Sequence, residues 1–482
     1  MAGIGSVGWA LPRLAIKAEE YRRSAGSFSG RGIQEKTVAA FDEDEITLGV
    51  ESAERALEAA RVSGDQVGYL AFASVGAPPG AAALAALALG GPRAAAVDFR
   101  GSGPPFAAAL HAACDYAEAT GDHALVIVAD ALRARVDDPA EHPLGAAGAA
   151  FVLSRTSPVQ LVSSTFGGSA SLESSRLGAD ALVRSPAGDD PSPAALRLAL
   201  SRLFASGFAA DSFDFIAGPE RAGGPMAVTH SPEKLAEGAA PPANLPRTGD
   251  TGAASAALAL ISALEAAAPE DQVLLADAEG ASAAAMALKI GGRPAGIESF
   301  RAAVEEPRVH LSWHAYLGHR RYLPDPLPTH TRSEGAYVSP ASWEETQEAR
   351  LRLLCSRCRT CGVMRHPPRE ACPDCGGADL EPFRARPVGV IHSVTRISRG
   401  GAPSEFALQQ TLVGDYGVAV VDLVDGLRTV AQMAAGDPRA VAIGQGVSLR
   451  LRRLFEQEGR VRYGLKAVLT TGESETEGSR KV

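Results

Sequence analysis

Five of the six cysteines stand between positions 355 and 375: Cys355, Cys358, Cys361, Cys372 and Cys375. Inside that cluster, the segment CRTCGVMRHPPREACPDCGG spaces Cys358 and Cys361 as C-x2-C and Cys372 and Cys375 as a second C-x2-C. A C-x2-C turn aims two thiolates at one tetrahedral ion, and Gly362 and Gly376 permit each turn to close tightly. Four thiolates at about 2.3 Å complete the coordination sphere of zinc and leave no position for water. The zinc expected on Cys358, Cys361, Cys372 and Cys375 is therefore structural, adding folding energy to a small module. Cys355 also forms C-x2-C with Cys358, but the glycine after Cys361 favours the 358–361 knuckle. That leaves Cys355 as a buried or bystander thiol. A secreted disulfide protein would spread its cysteines through the fold instead.

The remaining candidates are sparser. Cys114 stands alone. His310 and His314 have i, i+4 spacing, with no carboxylate-rich motif beside them, so they read as solvated or structural. The chain has 482 residues, enough for two to four domains at roughly 100–200 residues each. Its net charge is −9, with 47 Lys and Arg against 56 Asp and Glu, and aromatics are 5%. That balance argues against a phosphate-backbone binder. The longest apolar stretches, such as 81–89, are too short to span a bilayer. The first residues, MAGIGSVGWALP, have neither a basic start nor a long apolar core, so no signal peptide is expected and the protein is expected to be cytoplasmic.

The elements that must carry these residues alternate. Residues 46–62, 105–120, 193–207 and 252–267 have helical spacing, while 67–74, 124–130, 149–153, 212–217 and 273–277 are apolar runs of strand length. Helix–strand alternation predicts an α/β sheet covered by helices, in two successive halves split near 155. Residues 301–350 hold scattered prolines and histidines and read as a linker. Residues 351–385 form the zinc ribbon. Residues 386–470 turn to β-rich runs at 388–397, 416–424, 427–434, 446–455 and 461–469, expected to form a small barrel. The tail 471–482 is polar and reads as disordered.

The string RCRTCGVMRHPPREACPDCG, followed by a barrel ending in VSLRLRRLFEQEGRVRYGLKAV, resembles the zinc-ribbon plus OB-fold family that accompanies acyl-CoA thiolases. Residues 1–300 resemble hydroxymethylglutaryl-CoA synthases of the thiolase superfamily. The matching strings are GIGSVGWALPRLAIKAEEY, GIQEKTVAAFDEDEITLGVESAERAL at 32–57 and GAAGAAFVL at 145–153, with GDTGAASAALAL at 249–260 in place of the family's Gly-Asn-Thr segment. The resemblance implies a duplicated five-layer α-β-α-β-α domain over 1–300, then a rubredoxin-like zinc ribbon and an OB-fold barrel. It also implies a coenzyme A thioester as substrate or ligand, and a homodimer or a heteromer with a thiolase-like subunit.

The family's chemistry needs a cysteine nucleophile at the start of a buried helix, a histidine, an asparagine and an early acid. Here the nucleophile turn reads DFRGSGPPF, placing Gly101 at the nucleophile position and Ser102 beside it as a helix cap or substitute. Cys114 lies about 14 Å further along the helix at 1.5 Å per residue. The histidine position falls on Ala217, the asparagine on Asp250 and the acid near Val75. Asp250 is left as the one candidate base, with Tyr69 and Tyr116 as weaker alternatives.

The resulting expectation is an acyl-CoA-handling subunit or partner in carbon–carbon bond formation or cleavage, without the cysteine set. The alternatives are a cysteine-independent retro-aldolase, an acyltransferase whose nucleophile lies elsewhere, and an OB-fold nucleic-acid module.

Overall fold

The computed structural model describes residues 1–101, 104–169, 182, 192–221, 224–225, 241–323, 339–398, 402, 404–457 and 460–470. Ser102 and the tail 471–482 lie outside these residues. The chain divides into two compact units, Met1–Ala40 with Asp44–Arg320, and Phe41–Glu43 with Arg321–Val482.

The first unit is built on one nine-stranded sheet. Its strands are β1 (Gly3–Ala10), β2 (Val67–Ser74), β3 (Ala95–Arg100), β4 (His123–Asp130), β5 (Ala147–Ser154), β6 (Val159–Gly168), β7 (Phe215–Ala217), β8 (Gln272–Glu279) and β9 (Ser282–Ile290). Their order is β3-β2-β4-β5-β1-β6-β9-β8-β7. Read outward from the centre, β1-β5-β4-β2 and β6-β9-β8-β7 repeat one pattern, two antiparallel pairings and then a parallel one. The duplication that the sequence only hinted at is thus explicit in the topology.

Helices complete the layers. They are α1 (Glu45–Ala60), α2 (Ala81–Leu89), α3 (Pro105–Thr120), α4 (Ser192–Ala205) and α5 (Ala253–Ala266). Helix α1 covers β1, β5 and β4, and α4 covers β6, β9 and β8, while α3 and α5 touch each other and both halves of the sheet. This gives the five-layer α-β-α-β-α arrangement. Every residue of α5 from Ala253 to Leu264 is buried, which explains its alanine content: a helix enclosed on all sides needs apolar side chains of small volume. Helix α1 starts with a capping box, Asp44 accepting from the Thr47 N–H at 3.0 Å while Thr47 Oγ1 accepts from the Asp44 N–H at 2.8 Å. Its seat on the sheet requires glycine, since a Cβ at Gly8 would fall 2.2 Å from the Ser52 carbonyl.

The segment after β9 holds a helix at Phe300–Glu305, a two-residue strand at Val309–His310 paired with Leu14–Lys17, and a helix at Trp313–His319, all within the first unit. His310 Nε2 lies 2.7 Å from Glu35 Oε2, in an ion-pair cluster with Arg308.

The second unit holds a small sheet, β11-β10-β12, of β10 (Leu354–Cys358), β11 (Met364–Arg365) and β12 (Leu380–Arg384). A five-stranded antiparallel sheet follows, from β13 (Val388–Ile397), β14 (Tyr416–Leu423), β15 (Arg428–Gln432), β16 (Gly446–Gln457) and β17 (Arg460–Leu469). Its order is β15-β14-β13-β16-β17. A bridge between Met433 and Ala467 draws its two edges together, so the sheet nearly closes into a barrel. Ile391, Ala419, Val421, Val447, Leu449 and Ala467 fill its core.

Candidate functional site

The four cysteines of the two knuckles come together. Their Sγ atoms all lie within 4.8 Å of one another, with Cys358 and Cys375 at 3.6 Å and Cys361 and Cys372 at 3.5 Å. Ligands at about 2.3 Å from a tetrahedral centre stand roughly 3.8 Å apart, so the cluster fits one zinc ion. The knuckles have matching backbones. The Gly362 N–H donates to the Cys358 carbonyl and the Gly376 N–H to the Cys372 carbonyl, each at 2.8 Å. Gly362 and Gly376 close them at φ +75° and +70°, a region costly for residues with a Cβ. The Cys361 N–H, and after it that of Thr360, holds the Cys358 thiol down to about 6, against its burial. Cys355 is not in the cluster. It is buried in the barrel core, donates to the Leu353 carbonyl at 3.3 Å, and burial pushes its thiol up to about 11.

In the first unit, the position expected to carry the nucleophile is a glycine; Ser102 beside it lies outside the described residues. Gly101 sits at φ +107°, and a Cβ there would meet nothing within 4 Å. Cys114 is buried well along α3, and burial pushes its thiol up to about 12. One first-turn amide of α3 is already engaged: the Ala107 N–H donates to Asp277 Oδ2 at 3.1 Å. Asp277 is buried on β8, and burial raises its carboxyl to about 7.

The other expected positions are filled in the same way. Ala217 ends β7, fully buried and without a polar side chain. The turn at Val75 and Gly76 is held by Asp130, which ends β4. Asp130 accepts from Ser74 Oγ at 2.6 Å, the Val75 N–H at 3.1 Å, the Gly76 N–H at 2.8 Å and the Ala253 N–H at 2.8 Å. Burial still pushes its carboxyl up to about 7. A Cβ at Gly76 would lie 2.8 Å from Glu45 Oε1 and from Leu132 Cδ2, so a side chain there would have to displace the ends of both.

Asp250 precedes α5. Its Oδ1 accepts from the Gly252 N–H at 3.0 Å, its Oδ2 lies 3.6 Å from Arg221 Nη1, and burial raises its carboxyl above the usual range. Arg221 also pairs closely with Glu279, at the end of β8. Tyr69 and Tyr116 stack on each other at 5.2 Å, and Tyr116 sits near the far end of α3 from Gly101. Sequence reasoning missed Asp130, Asp277, Arg221 and Glu279.

This architecture defines a thiolase-superfamily fold joined to a zinc ribbon and a nearly closed barrel. Residues 347–381 match the family model described as "ChsH2, rubredoxin-like zinc ribbon domain". A DUF35 domain-containing scaffold protein of Methanocaldococcus jannaschii is 30% identical over 128 residues, which are 26% of this chain and 86% of that protein. The chain therefore belongs, through that portion, to the DUF35 domain family. A hydroxymethylglutaryl-CoA synthase of Thermococcus onnurineus is 33% identical over 160 residues, 32% of this chain. The match spans 45% of that synthase, so less than half of the relative is represented. Among solved structures, an HMG-CoA synthase complexed with CoA superposes with a TM-score of 0.56 at 16% identity, covering 70% of this chain and 95% of that one. The protein is a fusion of a hydroxymethylglutaryl-CoA synthase-like region with a DUF35-type zinc ribbon and barrel.

Proposed function

We propose that this chain is an acyl-CoA-handling subunit of an assembly that forms or cleaves carbon–carbon bonds, and that it performs no acyl-cysteine chemistry. One observation carries the reading: at the start of α3 the nucleophile position is Gly101, and the Ala107 N–H donates to Asp277. A helix N-terminus activates a cysteine by stabilising thiolate and oxyanion. Here that amide serves a buried carboxylate, and Cys114 is held as a thiol. The names of the relatives, CoA-dependent synthases on one side and scaffold proteins on the other, support acyl-CoA as ligand and a thiolase-like partner.

We read the modules as 1–300, a segment 301–350 whose first part, to Arg320, belongs to the first unit, the ribbon 351–385 and the barrel 386–470. Cys358, Cys361, Cys372 and Cys375 hold one structural zinc, which supplies folding energy and no reaction step. Strand β3 ends the nine-stranded sheet half-exposed, with Val97 39% exposed. Such an edge favours pairing with a second copy or a thiolase-like subunit. Among the described residues no helix is long and apolar enough to cross a membrane. We place the protein in the cytoplasm, with no nucleic-acid partner.

The test is affinity purification of the full chain from its own cells. A stoichiometric thiolase-type subunit is expected, together with no CoA release by the purified chain alone from acetyl-CoA and acetoacetyl-CoA. Steady turnover by the chain alone, or a covalent acyl adduct in its intact mass, overturns the reading.

A second reading is favoured by the Asp250–Arg221–Glu279 cluster. A carboxylate kept basic by burial beside a guanidinium suits a retro-aldol cleavage. Asp250 takes the proton of a β-hydroxyacyl-CoA, the Cα–Cβ electron pair passes to the thioester enolate, and the proton returns to Cα as the carbonyl product leaves. Aldehyde or ketone release from a panel of β-hydroxyacyl-CoA thioesters, abolished by Asp250→Asn, is its expected signature; no product from the panel removes it.

A further inference from the structure

The second unit contains a cationic cluster that neither the zinc ribbon nor the acyl-CoA reading uses. Trp343 lies in the short helix Pro340–Glu345, Arg350 in the next, Gln347–Arg352, and Arg462 on β17 directly across from Phe455 of β16. The Arg350 guanidinium carbon stands 3.3 Å from the centre of the Trp343 ring, and that of Arg462 stands 5.1 Å from it. Phe455 meets the same indole edge-on at 5.7 Å. Cation–π attraction of this kind holds both guanidinium groups to one ring.

The two arginines are held differently. Arg350 is tied into the backbone: its Nη1 donates to the Trp343 carbonyl at 2.9 Å and to Thr346 Oγ1 at 2.8 Å, and its Nε to the Tyr463 carbonyl at 3.3 Å. Gly464 opens the lane for its stem, since a Cβ there would fall 3.0 Å from Arg350 Cγ. Arg462 has no such ties. Among the described residues its buried Nε makes no hydrogen bond, and no carboxylate pairs with it. Burial, and then the charge of Arg462, push Arg350 down to about 10. Among the described residues no carboxylate pairs with either of these half-buried like charges; they repel, and a bound anion would relieve both.

We propose that Arg462, with Arg350 fixed beside it on Trp343, is a binding site for a phosphomonoester dianion. Two charges on one small group offset two guanidinium charges; with Arg350 Nε and Nη1 already donating and Arg462 Nε buried, the Nη groups of Arg462 and Nη2 of Arg350 are the donors left for phosphate oxygens. With Arg350 stacked on the indole at 3.3 Å, that face is closed to a nucleobase, so charge and not ring stacking drives recognition.

The test is calorimetric titration of the full chain with inorganic phosphate and, separately, with adenosine 3′,5′-bisphosphate, repeated at raised salt. Salt-sensitive binding is expected, at least about tenfold weaker in Arg462→Gln and intermediate in Arg462→Lys. Equal binding of both probes identifies free phosphate as sufficient, and binding of the bisphosphate alone identifies a nucleotide-borne group; either supports the site. Unchanged zinc content and melting temperature certify the fold of the variants. An acyl-CoA site in the first unit survives Arg462→Gln, so the two readings fail separately. Absence of binding by wild type at millimolar concentrations, or wild-type affinity in Arg462→Gln, overturns the proposal.

Discussion

Asp130 and Asp277 occupy corresponding strands in the two halves of the first unit, and each carboxylate accepts from the central helix of the other half. Asp130 on β4 takes the Ala253 N–H of α5 at 2.8 Å, and Asp277 on β8 takes the Ala107 N–H of α3 at 3.1 Å. A carboxylate at a helix N-terminus satisfies an orphan donor and meets the positive end of the dipole. Burial opposes this, raising both carboxyls to about 7. The pair locks the two halves together at the place where a thiolase-type nucleophile would otherwise need the amide.

That locking has a pH signature. A group whose folded pKa is raised contributes stability that is complete below its unfolded value, near 3.8, and is lost as pH climbs through about 7. The first unit should therefore lose stability between about pH 4 and pH 7. At 1.36 kcal/mol per pKa unit, a rise from 3.8 to about 7 amounts to about 4 kcal/mol for each group and about 9 kcal/mol for the two. Asp277→Asn removes one of them, so its stability should fall about half as steeply across that window in chemical denaturation at several pH values. An unchanged slope would contradict the assignment.

Asp130 differs from its counterpart in the number of groups it holds. Asp130→Ala leaves the N–H groups of Val75, Gly76 and Ala253 and the Ser74 hydroxyl without their shared acceptor. Each unpaired buried donor costs about 1–3 kcal/mol, less than additively. The expected loss, at least about 3 kcal/mol by urea unfolding at pH 7, should exceed that of Asp277→Ala, whose carboxylate serves fewer donors.

These two residues mark where sequence reading stopped. The zinc knuckles were legible because their four ligands lie within eighteen residues and the spacing itself encodes the turn. Helices α1, α3 and α5 and strands β2, β4 and β8 were legible from periodicity, and β13 to β17 from short apolar runs between turn residues. The edge strand β3 was not: AAVDFR alternates exposed and half-buried positions and lacks a continuous apolar run. Asp130 and Asp277 sit at or near the ends of the apolar runs ALVIVAD and VLLAD, where an aspartate reads as a turn residue. Their partners lie 123 and 170 positions away, a distance that no local pattern reports. Only the recurrence of a strand-terminal aspartate in both halves was available as a signal.

The thiols should separate into three classes. Metal analysis is expected to find about one zinc per chain. Cys361→Ser should abolish it, whereas Cys355→Ser should retain it and instead destabilise the barrel by about 1–3 kcal/mol through a buried hydroxyl in an apolar core. Loss of zinc in Cys355→Ser, with the barrel still folded by amide exchange, would move Cys355 into the ligand set.

Cys114 gives the sharpest check on the missing nucleophile. The thiolate is the reactive form, and a thiol held up to about 12 has a vanishing thiolate fraction at pH 8. Iodoacetamide should label Cys114 at least about a hundredfold more slowly than a free cysteine, whose pKa is about 8.5. The rate should rise to the free value only on unfolding. Introducing Gly101→Cys should create a new labelled site while leaving CoA release unchanged, because Asp277 still accepts from the Ala107 N–H and no histidine occupies position 217. Pairing Gly101→Cys with Asp277→Ala frees that amide and should raise the labelling rate of the new thiol at constant pH. An acyl-enzyme formed by Gly101→Cys alone would show that the site had kept a working oxyanion hole and lost only its nucleophile.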